Sequence, residues 1–460
     1  MKISKAVCVG LCLISSVGFA DQELEQELTK ILASEHLTKK SISISVRNAS
    51  TGQVVFEKNP NALINPASSI KLVTSLVALD LLGTQHRFST SLLRQGKDLC
   101  VRGGGDPSFV QEDMWLLTER LFAKMPTIEN VILDVSMFES NRSYAEDFSG
   151  DHHRSFAAVL SPLSLNHNSI TIEIEGQDHG KPAWIRIQPP LPDVVVQSQV
   201  SSSKNAGMKD VGVEIETKKD QWIIRLNGKV PPGKTIFLYR SVPDPLEYFW
   251  KTFSHYYRLQ GGMLGQSWTK QSCTQDAQKL FDYESKPLSW IVHGMNKFSS
   301  NFFAESLVYQ LSPSHTYESG MAAIDQWITS HLPSSKDMVL QNASGLSRGT
   351  KVSASWMTDV VLEGKKHFEF GPEWISSMSV YGKDGTLRRF KDPVLRGVVR
   401  AKSGSLKDVV SLVGLVQNQD HAEMAFAFLF EDTAQPTWKI QQVEEKLLRA
   451  LALHKTKPTH

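Results

Sequence analysis

The chain has 460 residues, 41% of them hydrophobic and 21% charged, with a formal net charge of +2. That length allows two or three domains and a sizeable core, and the composition is that of an ordinary globular protein. The near-neutral balance, with no long basic run, excludes nucleic acid as an electrostatically held partner.

The first segment, "MKISKAVCVGLCLISSVGFADQ", has two lysines, an apolar run, and small residues at Gly18 and Ala20. This is the pattern of a secretory signal peptide, residues 1–20, cleaved after Ala20. Its apolar run of about 14 residues falls short of the roughly 20 needed to span a bilayer. No other segment is long and apolar enough, so the mature chain is expected to be exported without an integral membrane span. Cleavage leaves Cys100 and Cys273, for which an oxidising compartment permits a disulfide and two free thiols are the alternative.

"EQELTKILASEHL" has helical spacing, and "SISISVRNASTGQVVFEKN" alternates, turns at "NASTG" and alternates again, which predicts a β-hairpin. The apolar helix "SSIKLVTSLVALDLL" follows. From about Phe88 to about Tyr283, short alternating segments such as "SITIEIEG" and "WIIRLNG" are separated by Gly, Pro and Asp, so this stretch reads as β-rich. Helical patterning returns at "LSWIVHGMNKFSSNFFAESLVYQL", "GMAAIDQWITSHL" and "SASWMTDVVLEGKKH". Three strands then follow, "GVVRAKSGS", "VVSLVGLVQN" and "AEMAFAFLFED", and an amphipathic helix closes the chain. The pattern predicts an α/β fold with one antiparallel sheet built from both chain ends. Residues 21–87 and 284–460 would form one domain, interrupted by a β-rich insertion over 88–283.

Chemistry enters at "NPASSIK". Ser68 and Lys71 are three apart and share a helix face, the spacing at which an amine can take a proton from a hydroxyl. Helix capping by the serines is the bland alternative. The same S-x-x-K spacing recurs at Ser201/Lys204 and Ser267/Lys270, but only the first pair precedes a long apolar helix. Ser299-Ser300-Asn301 adds a second element, and residues two apart converge only from a loop or a helix entrance. The third is Lys402-Ser403-Gly404, leading into an apolar strand. There a glycine lets a bound peptide approach the backbone, and a lysine with a hydroxyl can hold a carboxylate.

S-x-x-K, S-x-N and K-[T/S]-G in this order form the signature of serine penicillin-recognising enzymes. Together with "GGGDPSF", "LSPLSLNHNSITI", "SGLSRGTKVSAS" and "GKDGTLRRF", the chain resembles the D-alanyl-D-alanine carboxypeptidase/endopeptidase family, the class C low-molecular-mass penicillin-binding proteins. The resemblance spans nearly all of the mature chain. It implies a transpeptidase-like domain of the penicillin-binding-protein/β-lactamase type (an antiparallel sheet flanked by helices) with the large β-rich insertion. It also implies peptidoglycan stem peptides as substrates, β-lactams as covalent inhibitors and, with the signal segment, a periplasmic location. No metal or cofactor is called for.

The resemblance further implies the roles. Lys71, made less basic by the first helical turn and by Lys402, deprotonates Ser68, which attacks the scissile carbonyl. Ser299 passes the proton to the leaving amine, Asn301 binds the substrate backbone, and Lys402 and Ser403 hold its carboxylate. The backbone N–H groups of Ser68 and Ser405 form the oxyanion hole. Asp151, five residues before Phe156, faces the amino group of a diaminopimelate side chain, a solvated loop aspartate being the alternative. The chain departs from the family twice: Ser403 stands where threonine is usual, and Asn342-Ala343-Ser344-Gly345 replaces Asp-Gly-Ser-Gly. Three rivals stand beside this reading. They are an α/β-hydrolase built on Gly345-Leu346-Ser347-Arg348-Gly349, a β-lactamase, and a non-catalytic peptidoglycan-binding protein on the same fold.

Overall fold

Alternation in "ISISVRN" and "VVFEK" produces the strands Ile42–Asn48 and Val54–Lys58 of an antiparallel hairpin. A computed structural model describes residues 19–34, 41–140, 154–191, 194–207, 210–218, 221–332 and 338–455, and places this hairpin at one side of a six-stranded sheet. Across the sheet the order is Ser379–Val380, Val399–Ser405, Val409–Gln417, Glu423–Glu431, Ile42–Asn48 and Val54–Lys58, with every pairing antiparallel. Both chain ends therefore build one sheet, as their patterning predicts.

The two strands over Val409–Gln417 and Glu423–Glu431 are nearly continuous apolar runs because both faces of the sheet are covered. Side chains two apart share a face. In Glu423–Glu431, Phe426, Phe428 and Phe430 pack with the terminal helices Phe19–Ser34 and Thr437–Leu453. Ala425, Ala427 and Leu429 face the opposite core, which contains the helices Lys71–Leu82, Leu288–Phe298 and Ala354–Lys366. Small residues on that face let Ala354–Lys366 lie close against the strand. A one-residue slip would exchange the two sets, so the register is strongly specified.

Between Leu82 and Leu288 the chain forms a five-stranded mixed sheet, two three-stranded sheets and the helices Gln111–Phe122 and Pro245–Leu259. These share one core, including Leu117, Leu133, Ile172, Trp222 and Phe249. The three-stranded sheets are covered on one face only. In Ser169–Glu175, Ile170, Ile172 and Ile174 are buried while the residues between them are partly exposed. Cys100 and Cys273 are joined by a disulfide, so the thiol alternative does not hold, and Asp134 accepts the Cys273 N–H at 2.9 Å. The chain enters and leaves this region on paired strands, Ser89–Gln95 and Gln278–Glu284. Beyond that pair, Ser285 N donates to Phe88 O at 2.8 Å, and Phe88 N donates to Ser285 Oγ at 2.9 Å.

Candidate active site

Ser68 sits in a single 3₁₀ turn, Ala67–Ile70, that feeds directly into the helix Lys71–Leu82. The capping alternative fails here, since no side chain caps either start. The turn is held from outside instead. Ala67 has φ 44°, a left-handed conformation costing about 1–2 kcal/mol for a residue other than glycine. Asn65 maintains it: its Oδ1 accepts the Ala67 N–H at 2.8 Å, while its Nδ2 donates to Ser347 O and Arg348 O at 3.0 and 3.1 Å. On the sheet side Ser411 Oγ donates to Pro66 O at 2.5 Å.

Lys71 is fully buried, and its Nζ donates to Ser68 Oγ (2.9 Å), Asn301 Oδ1 (2.8 Å) and Ser344 O (2.6 Å). Burial, first, and then the nearby Lys402 cation hold its pKa well below the ordinary lysine value, against an opposing push from Glu305. The sequence reading names Lys402 and the helix start as causes. Burial exceeds them. Two of the three Nζ partners are carbonyl-type oxygens, which can only accept. A neutral Lys71 therefore donates its two N–H groups to Asn301 and Ser344, and its lone pair points at the Ser68 hydroxyl.

Ser299 and Asn301 converge as a helix entrance requires. Leu288–Phe298 ends at Ser299, which is left-handed at φ 59°, and Asn301–Val308 starts two residues later. Ser300 is the cap of the pair, its Oγ accepting the Phe303 N–H at 3.2 Å. This leaves Ser299 to face the sheet, where Lys402 Nζ donates to its Oγ at 2.8 Å and to Ser403 O at 2.7 Å. Lys402 is fully buried, and burial lowers its pKa to about 7. Ser403 Oγ donates to Thr386 Oγ1 at 2.8 Å.

Gly404 is required by close approach. A β-carbon there would sit 2.3 Å from Ser411 Oγ, 2.6 Å from Pro66 O and 2.9 Å from Ser68 N. The strand backbone thus runs against the Ser68 turn, with Ser405 exposed just beyond. Asp151 lies outside the described residues. Ser347 stands in a loop, and the next helix begins only at Ala354, so the strand–turn–helix an α/β-hydrolase needs is missing there.

One contributor, Glu305, escapes a motif reading, and two more come from the loop that departs from the family sequence. Glu305 is fully buried; its Oε1 accepts the Ser344 N–H at 2.8 Å and its Oε2 accepts from Tyr317 OH at 2.6 Å. Burial raises its pKa. Ser344 contributes a backbone carbonyl, and Gly345 (φ 74°) would place a β-carbon 1.9 Å from Ala67 O. So the Asn342–Gly345 loop, despite its departure from the usual sequence, braces Lys71 and the Ser68 turn together. A lone glutamate four residues after Asn301 on an apolar helix was the available signal for Glu305. The cluster's remaining polar groups are amines, hydroxyls and an amide, a set suited to proton transfer and carboxylate binding and not to caging a cation. A cleft of about 520 Å³ opens beside Ser299 and Asn301, and Phe156, Thr171, Gln188 and Tyr239 also line it.

The model of the D-Ala-D-Ala carboxypeptidase 3 (S13) family matches residues 24–449. A D-alanyl-D-alanine carboxypeptidase from Actinomadura sp. (strain R39) is 25% identical, over 91% of this chain and 82% of its own. The crystal structure of penicillin binding protein 4 (dacB) from Haemophilus influenzae superposes with a TM-score of 0.73 at 22% identity, covering 94% of this chain and 98% of that one. A penicillin G-acylated predatory endopeptidase from Bdellovibrio bacteriovorus superposes with a TM-score of 0.53 at 17% identity, over 91% of this chain and 95% of that one.

Proposed function

The chain belongs to the D-Ala-D-Ala carboxypeptidase 3 (S13) family, and from that premise we propose how its residues cut the D-alanyl bond of a peptidoglycan stem. Ser68 Oγ attacks the scissile carbonyl while its proton passes to neutral Lys71. The oxyanion is held by the N–H groups of Ser68 and Ser405. Losing one such donor typically costs roughly a hundred- to a thousand-fold in rate. Ser299 relays the proton to the leaving amine, leaving an acyl ester on Ser68. Water, deprotonated by Lys71, then attacks the ester, releases the acid and restores the hydroxyl. Asn301 orients the substrate backbone, and Lys402 with Ser403 holds the terminal carboxylate. The observation that carries this reading is the triple contact of buried Lys71, whose two carbonyl-type partners leave the lone pair of a neutral amine for Ser68.

The finer readings extend the same proposal. The reaction is D,D-carboxypeptidase or D,D-endopeptidase cleavage, according to whether a free D-alanine or a second stem occupies the cleft. The inhibitor class is β-lactam, as for the acylated endopeptidase of similar fold. Asp151 selects diaminopimelate stems, residues 88–283 act as an inserted module, and the enzyme works in the periplasm. No helix among the described residues is long and apolar enough to cross a membrane. Intact-protein mass after incubation with a penicillin tests the core of the proposal. A stable single adduct, absent from Ser68→Ala, is expected. No adduct on folded protein would overturn it in favour of a non-catalytic binder, and rapid adduct loss with penicillin consumed would turn it into a β-lactamase.

A further inference from the structure

The part of the cleft beside Ser299 and Asn301 that Thr171, Gln188 and Tyr239 line is the near edge of a larger surface. These residues belong to the three-stranded sheet of Ser169–Glu175, Trp184–Gln188 and Thr235–Ser241, whose other face is buried in the core. The pairing register lays the solvent face out in rows: Tyr239–Thr171–Gln188, then Phe237–Glu173–Arg186, then Thr235–Glu175–Trp184. Each row is two residues further along the strands, about 7 Å, so the third lies about 14 Å beyond the first. Trp184 is 65% exposed, Phe237 52% and Tyr239 55%. Between them Glu173 accepts from Arg186 Nη1 at 3.2 Å and Gln188 Nε2 at 3.0 Å. The face ends at a second hollow lined by Glu175, Lys181 and Trp184.

One aromatic in each row, set among ion-paired and amide groups, is not an apolar patch. A purely hydrophobic partner would leave Glu173, Arg186 and Gln188 desolvated, at a cost. A ligand with flat C–H faces for the rings and hydroxyl or amide groups for the polar side chains satisfies both. Saccharide rings carry that combination. The surface is also continuous with the cleft, so a long ligand anchored in the cleft can extend along it. We propose that this sheet face is an extended subsite for the glycan strand that carries the stem peptide, with Trp184 and Phe237 as stacking platforms. The inference rests on the peptidoglycan reading above, and it adds that the enzyme recognises the sugar chain as well as the peptide.

The test compares Trp184→Ala, Phe237→Ala and the double variant with the unsubstituted protein on two substrates: a free stem pentapeptide and the same pentapeptide on its disaccharide or a longer glycan. Both side chains are solvent-facing, so the variants are expected to fold. Thermal denaturation and penicillin acylation confirm that each one does. The expected result is unchanged kcat/KM on the free peptide and a three- to tenfold fall on the glycan-linked one, growing with glycan length. Equal values on both substrates, or equal losses on both, would overturn the subsite. A separate arm reads binding alone: co-sedimentation of Ser68→Ala with glycan strands stripped of stem peptides, weakened by the Trp184 and Phe237 changes. If the unsubstituted enzyme cleaves neither peptide, the peptidase reading fails, and this arm still decides whether the face holds sugar. Retention of all variants equally would overturn the subsite there too.

Discussion

The six-stranded sheet with its helices and the region between Leu82 and Leu288 solve the burial of polar groups in opposite ways. The first buries Lys71, Lys402 and Glu305 outright and pairs each of them, so its interior is electrostatically tense and geometrically determined. The second buries an aromatic and aliphatic core, ties it with a disulfide, and keeps most charged side chains at the surface, with Asp106, Asp134 and Lys251 buried as exceptions. Chemistry needs the first arrangement, because a lysine becomes a base only where its charged form is penalised. Recognition of a large substrate needs the second, a stable frame that offers exposed surface.

The comparison predicts that changes in the first region act on rate. The largest effect is expected for Ser68→Ala or Lys71→Ala, each lowering kcat by about 10⁴–10⁶-fold with little change in stability, measured by single-turnover acylation and thermal denaturation. A loss of tenfold or less would mean that another group is the nucleophile or the base. Lys402→Ala should cost about 2–5 kcal/mol of transition-state binding, roughly thirty- to several-thousand-fold in kcat/KM on substrates with a free carboxylate. The pH profile sharpens this. Lys402 loses its proton as pH rises through about 7, so its hold on a carboxylate is present below that pH and lost above it. Lys71 is active only when neutral and so sets the acid limb. kcat/KM should therefore be bell-shaped with a basic limb near 7, and Lys402→Arg, which stays charged, should abolish that limb.

A smaller effect is expected from Glu305→Gln, about tenfold in kcat/KM. The charge of Glu305 raises the Lys71 pKa, so its removal lowers that pKa and moves the acid limb to lower pH. An unshifted limb would reduce Glu305 to a brace for the Ser344 loop. In the other region the effect should fall on stability. Replacing Cys100 and Cys273 with alanine should cost roughly 2–5 kcal/mol, read as a lower Tm, with the peptide kcat unchanged. A fall in kcat comparable to that in Glu305→Gln would break the division of labour.

What was legible followed the range of the signal. S-x-x-K and K-S-G are local, and each motif brings its own chain segment to the site. The alternation of "ISISVRN" and the long apolar runs near the C-terminus similarly announce one doubly covered sheet. Glu305 was hidden because its partner Ser344 is 39 residues away and bonds through its backbone, which no side-chain pattern records. The lone-pair geometry of Lys71 depends on the backbone carbonyl of the same Ser344. Burial as the main cause of its lowered pKa required knowing which helices close over the site. The Cys100–Cys273 bond spans 173 residues, and sequence spacing is silent at that range. In the same way, the parallel pairing of Val194–Ser202 with Gln221–Val230 is a crossover that alternation alone does not specify.

The hydrogen bonds exchanged by Phe88 and Ser285 have a consequence for how such a molecule can change. Because the chain departs and returns at the same place, everything between those residues can lengthen, shorten or be replaced while the two ends stay about 5 Å apart, the distance between paired strands. The Ser68 turn lies before that junction and the Ser299 and Lys402 segments after it. Changes there reach the site at few points, chiefly where Phe156 O accepts from Asn301 Nδ2 at 3.3 Å, so a rewritten region must keep that contact to leave the Ser68, Ser299 and Lys402 segments in place.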